Sequence, residues 1–311
     1  MKRKLSLLLI VCAIFINVSS VNASEISNGE YTNKNGIKMT NEQVEALKNL
    51  GFNDYEIDYM DQEEFDSNKN LKGEVLSETT KYYKTTTYYP EETGMRTQLS
   101  LEPVSHSVEV SKEEYELGEP IVERGLSNGY TVTEYKAMTT TIINPGNGNY
   151  RYKNTLNWRK KPAVFNYDII GIGIESNKVY GVSSSKYIKA IHSYNSLNAC
   201  FDKQVNTGTW SNSASGYSVK FELPFVAASV NYVTWTGLDV YMYFDVAKTN
   251  TNDTVTVLNA YGNYRHATSD FANSPFSFSI SVGGTISISG SYDSKYDSIS
   301  TAQATLTGIN W

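Results

Sequence analysis

The chain has 311 residues, a net charge of −6 from 27 Lys+Arg and 33 Asp+Glu, and two cysteines. Net acidity argues against a nucleic-acid partner. With Cys12 in an apolar N-terminal run, Cys200 is left without an intramolecular disulfide partner and reads as a small buried apolar residue. The charge is uneven: residues 24–125 hold 22 acidic against 10 basic side chains, whereas residues 126–199 hold 9 basic against 3 acidic. Such an acidic front and basic middle are placed to face each other, or the middle to meet an anionic polymer.

Lys2, Arg3 and Lys4 precede the apolar run Leu5–Ile16, and Val21-Asn22-Ala23 supplies small or modest side chains behind it. Residues 1–23 therefore read as a signal peptide, with a mature chain from Ser24 that is secreted and extracellular, in the medium or on the cell wall. The run is shorter than the roughly 20 residues a spanning helix needs.

Residues 24–66 form a polar leader with short helices. Thr40 with Gln43, Asn53 with Glu56 and Asp61 with Glu64 fit the spacing at which a side chain caps a helix start. Val44, Leu47 and Leu50 share one helical face, Gly51 supplies a stop, and Phe52, Ile57, Met60 and Phe65 form a small apolar set. This is too little for a stable domain alone. The stretch "MTNEQVEALKNLGFNDYEIDYMDQEEF" resembles the helical leader of uncharacterised secreted proteins from Gram-positive spore-forming bacteria. "TLNWRKKPAVFNYDIIGIGI" and "AYGNYRHAT" are similar to later stretches of such proteins. The resemblance implies export and brings no activity with it.

Residues 67–127 are an acidic transition in which "KYYKTTTYY" has β-branched and aromatic bias. Residues 128–311 read as an antiparallel β-sandwich of about ten short strands, making the fold mainly β. Candidates include "GYTVTEYKAMTTTIIN", "YRYKNTLNW", "AVFNYDIIGIGI", "KVYGVSSSKYI", "YSVKFELPFV", "SVNYVTWTG", "LDVYMYFDVA" and "DTVTVLNAYG". In "DIIGIGI" the glycines leave one strand face bare, so a neighbour can lie flat on the backbone, with Trp158 or Trp235 as fillers. In "FSFSISVGGTISISGSY" a three-residue loop pairs Ile280 with Ile286 and Phe278 with Ile288, and puts Gly284 in the left-handed position. That register gives one apolar and one hydroxyl face. Six-residue arms favour a sandwich hairpin over a membrane strand, which needs about 9–11 residues. "TAQATLTGINW" closes the chain as a paired strand.

Catalytic and metal motifs are sparse. His106, His192 and His266 are far apart, and Asp54, Glu56 and Asp58 lack the glycine and glutamate of a calcium loop. His266, with Arg265 and Asp270 nearby, is the best lone acid–base candidate, and Glu222 with Asp239 the best carboxylate pair. No cofactor is implied. The strongest binding candidate is Trp158 with Arg159, Lys160 and Lys161, an aromatic ring beside three cations. Tyrosine is abundant, 24 residues, and rings that face outward suit glycan contact. The function read from these features is a secreted, non-enzymatic protein that binds at or near a cell surface. Its partner would be an anionic wall polymer, a glycan or a membrane surface. A membrane-active or bacteriocin-like protein is the alternative, and a hydrolase the third reading.

Overall fold

Alternation of apolar with hydroxyl-bearing and charged residues builds two antiparallel sheets, and further segments cover both outer faces. The computed structural model describes residues 26–27, 30–90, 103–118, 122–124, 129–159, 162–175, 177–196, 199–224, 233–269 and 275–311. The first strands are β1 (Ile26–Ser27), β2 (Glu30–Thr32), β3 (Lys38–Thr40), β4 (Glu74–Tyr89), β5 (Val104–Val110), β6 (Val122–Arg124), β7 (Tyr130–Asn144), β8 (Tyr150–Trp158) and β9 (Tyr167–Ile174). They are followed by β10 (Val179–Gly181), β11 (Tyr187–Ser196), β12 (Ala199–Val205), β13 (Thr209–Ser213), β14 (Gly216–Glu222), β15 (Val233–Lys248), β16 (Val257–Arg265), β17 (Phe278–Ile280), β18 (Ile286–Ile288) and β19 (Ala302–Thr307). Helices are α1 (Asn41–Asn49), α2 (Asp54–Asp58), α3 (Gln62–Asn68) and α4 (Lys112–Leu117).

The large sheet runs β12-β11-β15-β8-β7-β4-β5, with β10 on β15 and β6 on β7, and the small sheet runs β13-β14-β9-β16-β19. Their facing sides form the main core, where Met138, Leu156, Val240 and Phe244 meet Ile170, Ile172, Val219 and Leu258. Polar side chains also cross this interface. Asn154 of β8 donates from Nδ2 to the carbonyls of Gly171 and Asn263, at 3.2 Å each, and so pins the small sheet against the large one. The expected fold, a mainly β antiparallel sandwich preceded by short helices, is the one observed.

Strand lengths depart from expectation. β15 has 16 residues and continues through Gly237, which in sequence looks like a break between two strands. There the β11–β15 register shifts at Ser193/Tyr194, so the glycine marks a bulge rather than an end. Within the acidic segment, β4 also has 16 residues and pairs with β7 along its length. β12 and β13 went unanticipated because "ACFDKQV" and "TWSNS" carry little apolar alternation.

The leader folds as its caps dictate. Thr40 and Asn53 each make both halves of a capping box, Asp61 accepts from Glu64 N, and Gly51 (φ 76°) ends α1. Its apolar residues do not make a core by themselves. Leu47, Phe52, Ile57, Met60 and Phe65 close over Ile143, Ile191, Tyr241 and Tyr243 on the outer face of the large sheet.

On the outer face of the small sheet the glycine stripe of β9 is filled by the β17–β18 hairpin, not by Trp158, and the side chain of Trp235 lies outside those described. A methyl group at Gly171 would lie 2.7 Å from Ile280 Cδ1, and one at Gly173 would lie 2.6 Å from Gly284 N. Trp158 cannot fill that slot, because it packs in the core between the two sheets. The hairpin register is the expected one: Phe278 pairs with Ile288, Ser279 with Ser287 and Ile280 with Ile286, and Gly284 has φ 78°. Phe278, Ile280, Ile286 and Ile288 are buried with Ile169 and Ala267, and Ser279 and Ser287 face out. The hairpin is thus a separate fourth layer rather than an edge of either sheet.

β19 pairs with β16, and Trp311 beyond it exchanges two backbone hydrogen bonds with Val255 and donates from Nε1 to Gly148 O. Two stability measurements check these placements. Ile280→Ala is expected to cost about 2–5 kcal/mol in denaturant unfolding and Ser279→Lys less than about 0.5 kcal/mol. Equal costs would put the hairpin elsewhere. Deleting Ile309–Trp311 is expected to lower the melting midpoint by a few degrees, because a half-buried ring contributes about 1–2 kcal/mol. An unchanged midpoint would mean the tail is free.

Candidate functional site

The cationic stretch after β8 does not display its tryptophan. In β8, Trp158 pairs with Lys136, and both side chains point inward; Trp158 is 3% exposed. Its ring meets His266 edge-on at 4.6 Å and carries Lys136 Nζ 4.5 Å above its face. Arg159 is half-buried. Its N donates to Tyr135 O and its Nε to Gly118 O, at 3.1 and 3.0 Å. Lys160 and Lys161 lie outside the described residues.

Beneath Trp158 lies a buried polar cluster. Asp168 of β9 accepts from Tyr264 Oη and from Ala267 N, and His266 Nδ1 stands 2.9 Å from its Oδ2. Lys136 Nζ donates to Asp297, which also accepts from His266 N. Burial pushes the His266 imidazole down, but the Asp168 carboxylate more than offsets this, so the ring titrates above its ordinary range. The sequence offers Arg265 and Asp270 as its partners. In the structure Arg265 points instead to Asp297 O and Ile286 O, and Asp270 lies outside the described residues. His266 is 2% exposed, with Asp168 taking its Nδ1, so the arrangement fastens β9 to the end of β16. His192 is buried elsewhere, with Nδ1 2.6 Å from Pro224 O and its ring stacked on Phe165, and His106 sits on edge strand β5.

Glu222 and Asp239 do not form a carboxylate pair. Asp239 stands opposite Asn157 on the outer face of the large sheet, whereas Glu222 stands opposite Tyr167 on the outer face of the small one. Both sheets lie between them.

The acidic leader and the basic middle do face each other. Glu56 takes Lys153 Nζ at 2.5 Å and Thr155 Oγ1 at 3.3 Å. Asp61 takes Tyr187 Oη at 2.6 Å and Lys189 Nζ at 3.2 Å, and Glu64 takes Tyr241 Oη at 2.9 Å. Arg151 bridges Asp245 of β15 and Asn68 of α3. Tyr241 and Tyr243, which the alternation turns outward, are therefore covered rather than displayed. Burial pushes Glu64 up to about 8, against the pull of Lys189 and Tyr241, and burial pushes Asp239 up to about 7.

Rings are displayed at the other end of the sheet. Tyr89 and Tyr130 pair across β4 and β7 and stack at 4.8 Å with planes 9° apart. On the opposite face of β4, Tyr88 is 42% exposed and pairs with Val104 of β5, which is 66% exposed. The "KYYKTTTYY" bias signals these rings in sequence; Tyr130 and Val104 join them only through strand pairing.

No protein-family model matches the chain, and no curated protein matches it in sequence. Among solved structures, the collagen binding domain of Erysipelothrix rhusiopathiae surface protein RspB is similar over 61% of this chain and 77% of that one. The identity is 7% and the TM-score 0.24. At that level the likeness has no bearing on what this chain binds.

The Glu64 environment sets a pH dependence. Unfolded, the group ionises near about 4.3; folded, it ionises near about 8. Between those values the folded chain holds a proton that the unfolded chain has lost. Stability is therefore full below the unfolded value and falls as pH rises through the folded one. Asp239 acts in the same sense, as does His266 above its ordinary value. In melting curves between about pH 5 and 8, Glu64→Gln is expected to flatten the decline by up to about 1.4 kcal/mol per pH unit. A slope that the substitution leaves unchanged would remove Glu64 from this role.

Proposed function

We propose that the protein is a secreted, non-enzymatic binding protein that engages a glycan or an anionic wall polymer at or near a cell surface. The observation that carries the reading is the tyrosine set where β4 and β7 end, with Tyr88 and Tyr130 exposed and Tyr89 half-buried and stacked on Tyr130. Flat rings of this kind stack on sugar faces and contribute apolar contact with little ordering cost. Arg159 follows β8 opposite Tyr135, about five residues along from Tyr130 in the β7 register, and strand alternation puts it on the face that carries Tyr88. That separation is roughly 17 Å at strand rise. The segment that begins there carries Lys160 and Lys161, so cations and rings together would suit a polymer that is both sugar-bearing and anionic.

The buried His266–Asp168 pair and the separated Glu222 and Asp239 support binding over hydrolysis. The membrane-active alternative has against it the packing of the β17–β18 hairpin, whose apolar side chains are held on β9.

Co-sedimentation with purified cell walls, wall polymer and liposomes tests the reading. Tyr88→Ala with Tyr130→Ala is expected to weaken wall retention about tenfold, and Lys160→Gln with Lys161→Gln to weaken it only for anionic polymer. Both changes should leave the melting midpoint within a few degrees, since these side chains contribute little to the core. Undiminished retention by both variants, or binding to liposomes alone, would overturn it.

A further inference from the structure

Lys136 of β7 and Asp297, which precedes β19, meet between the two sheets with both side chains wholly buried. Other buried lysines have their charge met more than once. Lys153 Nζ reaches Gly51 O as well as Glu56, and Lys189 Nζ reaches Asp61 and Glu64. An ammonium carries three N–H donors. Among the described residues, Lys136 Nζ has the Asp297 carboxylate as its single hydrogen-bond acceptor, and it lies 4.5 Å above the Trp158 ring. A buried ion pair with so few further hydrogen bonds recovers little of its lost hydration. An amide in the same place would carry one N–H and no charge.

The Asp297 carboxyl group is also held as an acyl donor. His266 N donates to its Oδ1 at 2.7 Å, while Lys136 Nζ stands at Oδ2. The backbone around it is fixed: Asp297 N donates to His266 O, and Arg265 Nη1 donates to Asp297 O, each at 2.9 Å. Amine and carboxyl carbon are thus oriented in a closed site, where proximity contributes most.

We propose that Lys136 and Asp297 condense to an intramolecular amide, a covalent tie between β7 of the large sheet and the segment that leads into β19 of the small one. One proton passes from Nζ to Oδ2, leaving a neutral amine and a carboxylic acid. The nitrogen lone pair attacks Cγ, and charge gathers on Oδ1, where the His266 N–H holds it. A second proton from Nζ reaches Oδ2, the Cγ–Oδ2 bond breaks, and that oxygen leaves as water. The Cγ–Oδ1 double bond re-forms. Ammonium and carboxylate become one amide and one water, with no oxidant or co-reactant. The remaining N–H has the face of the Trp158 ring beside it. The tie joins residues 161 positions apart, constraining the unfolded chain as a long-range disulfide would.

Mass spectrometry of the denatured full chain tests this. The intact mass, set against that calculated from its determined N-terminus, is expected to be low by one water, about 18 Da. Trypsin is expected to leave residues 125–151 joined to residues 296–311 as one branched peptide, uncut after Lys136. Lys136→Arg keeps the positive charge without the reacting amine, and should restore the full mass and separate the two segments. Should that variant fail to fold, the wild-type digest decides alone. A wild-type chain of full mass overturns the proposal. So does a deficit with the two segments separate, as a cyclised aspartate would give, or a deficit that Lys136→Arg leaves in place.

Discussion

Two lysines and an arginine on one face of a β-sheet, covered from water, must have their charge met or the fold fails. Lys153, Lys189 and Arg151 are in that position, and each is met by carboxylates or amides brought from elsewhere in the chain. This constraint ties the first third of the protein to the rest. It explains why short helices that could not stand alone are ordered, and why their capping residues also serve as ligands. Glu56 shows the economy of it, accepting from Asn53 N in its capping box and from Lys153 across the interface.

The other outer face is solved by the opposite means. There β9 offers Gly171 and Gly173, and a neighbour can approach the backbone itself. The hairpin that fills this space contributes isoleucines and a phenylalanine on one side and serines on the other. One face is therefore closed by charge pairing and the other by apolar contact on bare backbone. The four layers that result leave Tyr88, Tyr130 and Val104 among the large side chains that stay exposed, with Tyr180 of β10 another.

Much of this was legible in the sequence, and the failures have physical causes. The hairpin register followed from requiring like residues to pair across a loop with one left-handed glycine, and Gly284 meets that requirement. The caps of α1 to α3 were legible because capping acts over three residues. Facing of the acidic and basic segments was legible as a charge count, though not which residues pair. The glycine stripe announced a close approach without naming the neighbour, since the hairpin lies about a hundred residues downstream of β9. His266 drew attention, but its partner Asp168 is 98 residues away in sequence, beyond any local spacing rule. Trp158 beside three cations suggested a surface platform; strand alternation settles its direction, and it points inward with Lys136.

The Glu56–Lys153 pair holds the leader on the sheet. A double-mutant cycle with Glu56→Gln and Lys153→Met, read by denaturant unfolding, measures their coupling directly. A buried pair left with one uncompensated member is destabilised by about 3–5 kcal/mol. A coupling above about 2 kcal/mol is expected, with the double variant more stable than Glu56→Gln alone. Single-variant costs that simply add, within about 0.5 kcal/mol, would contradict it.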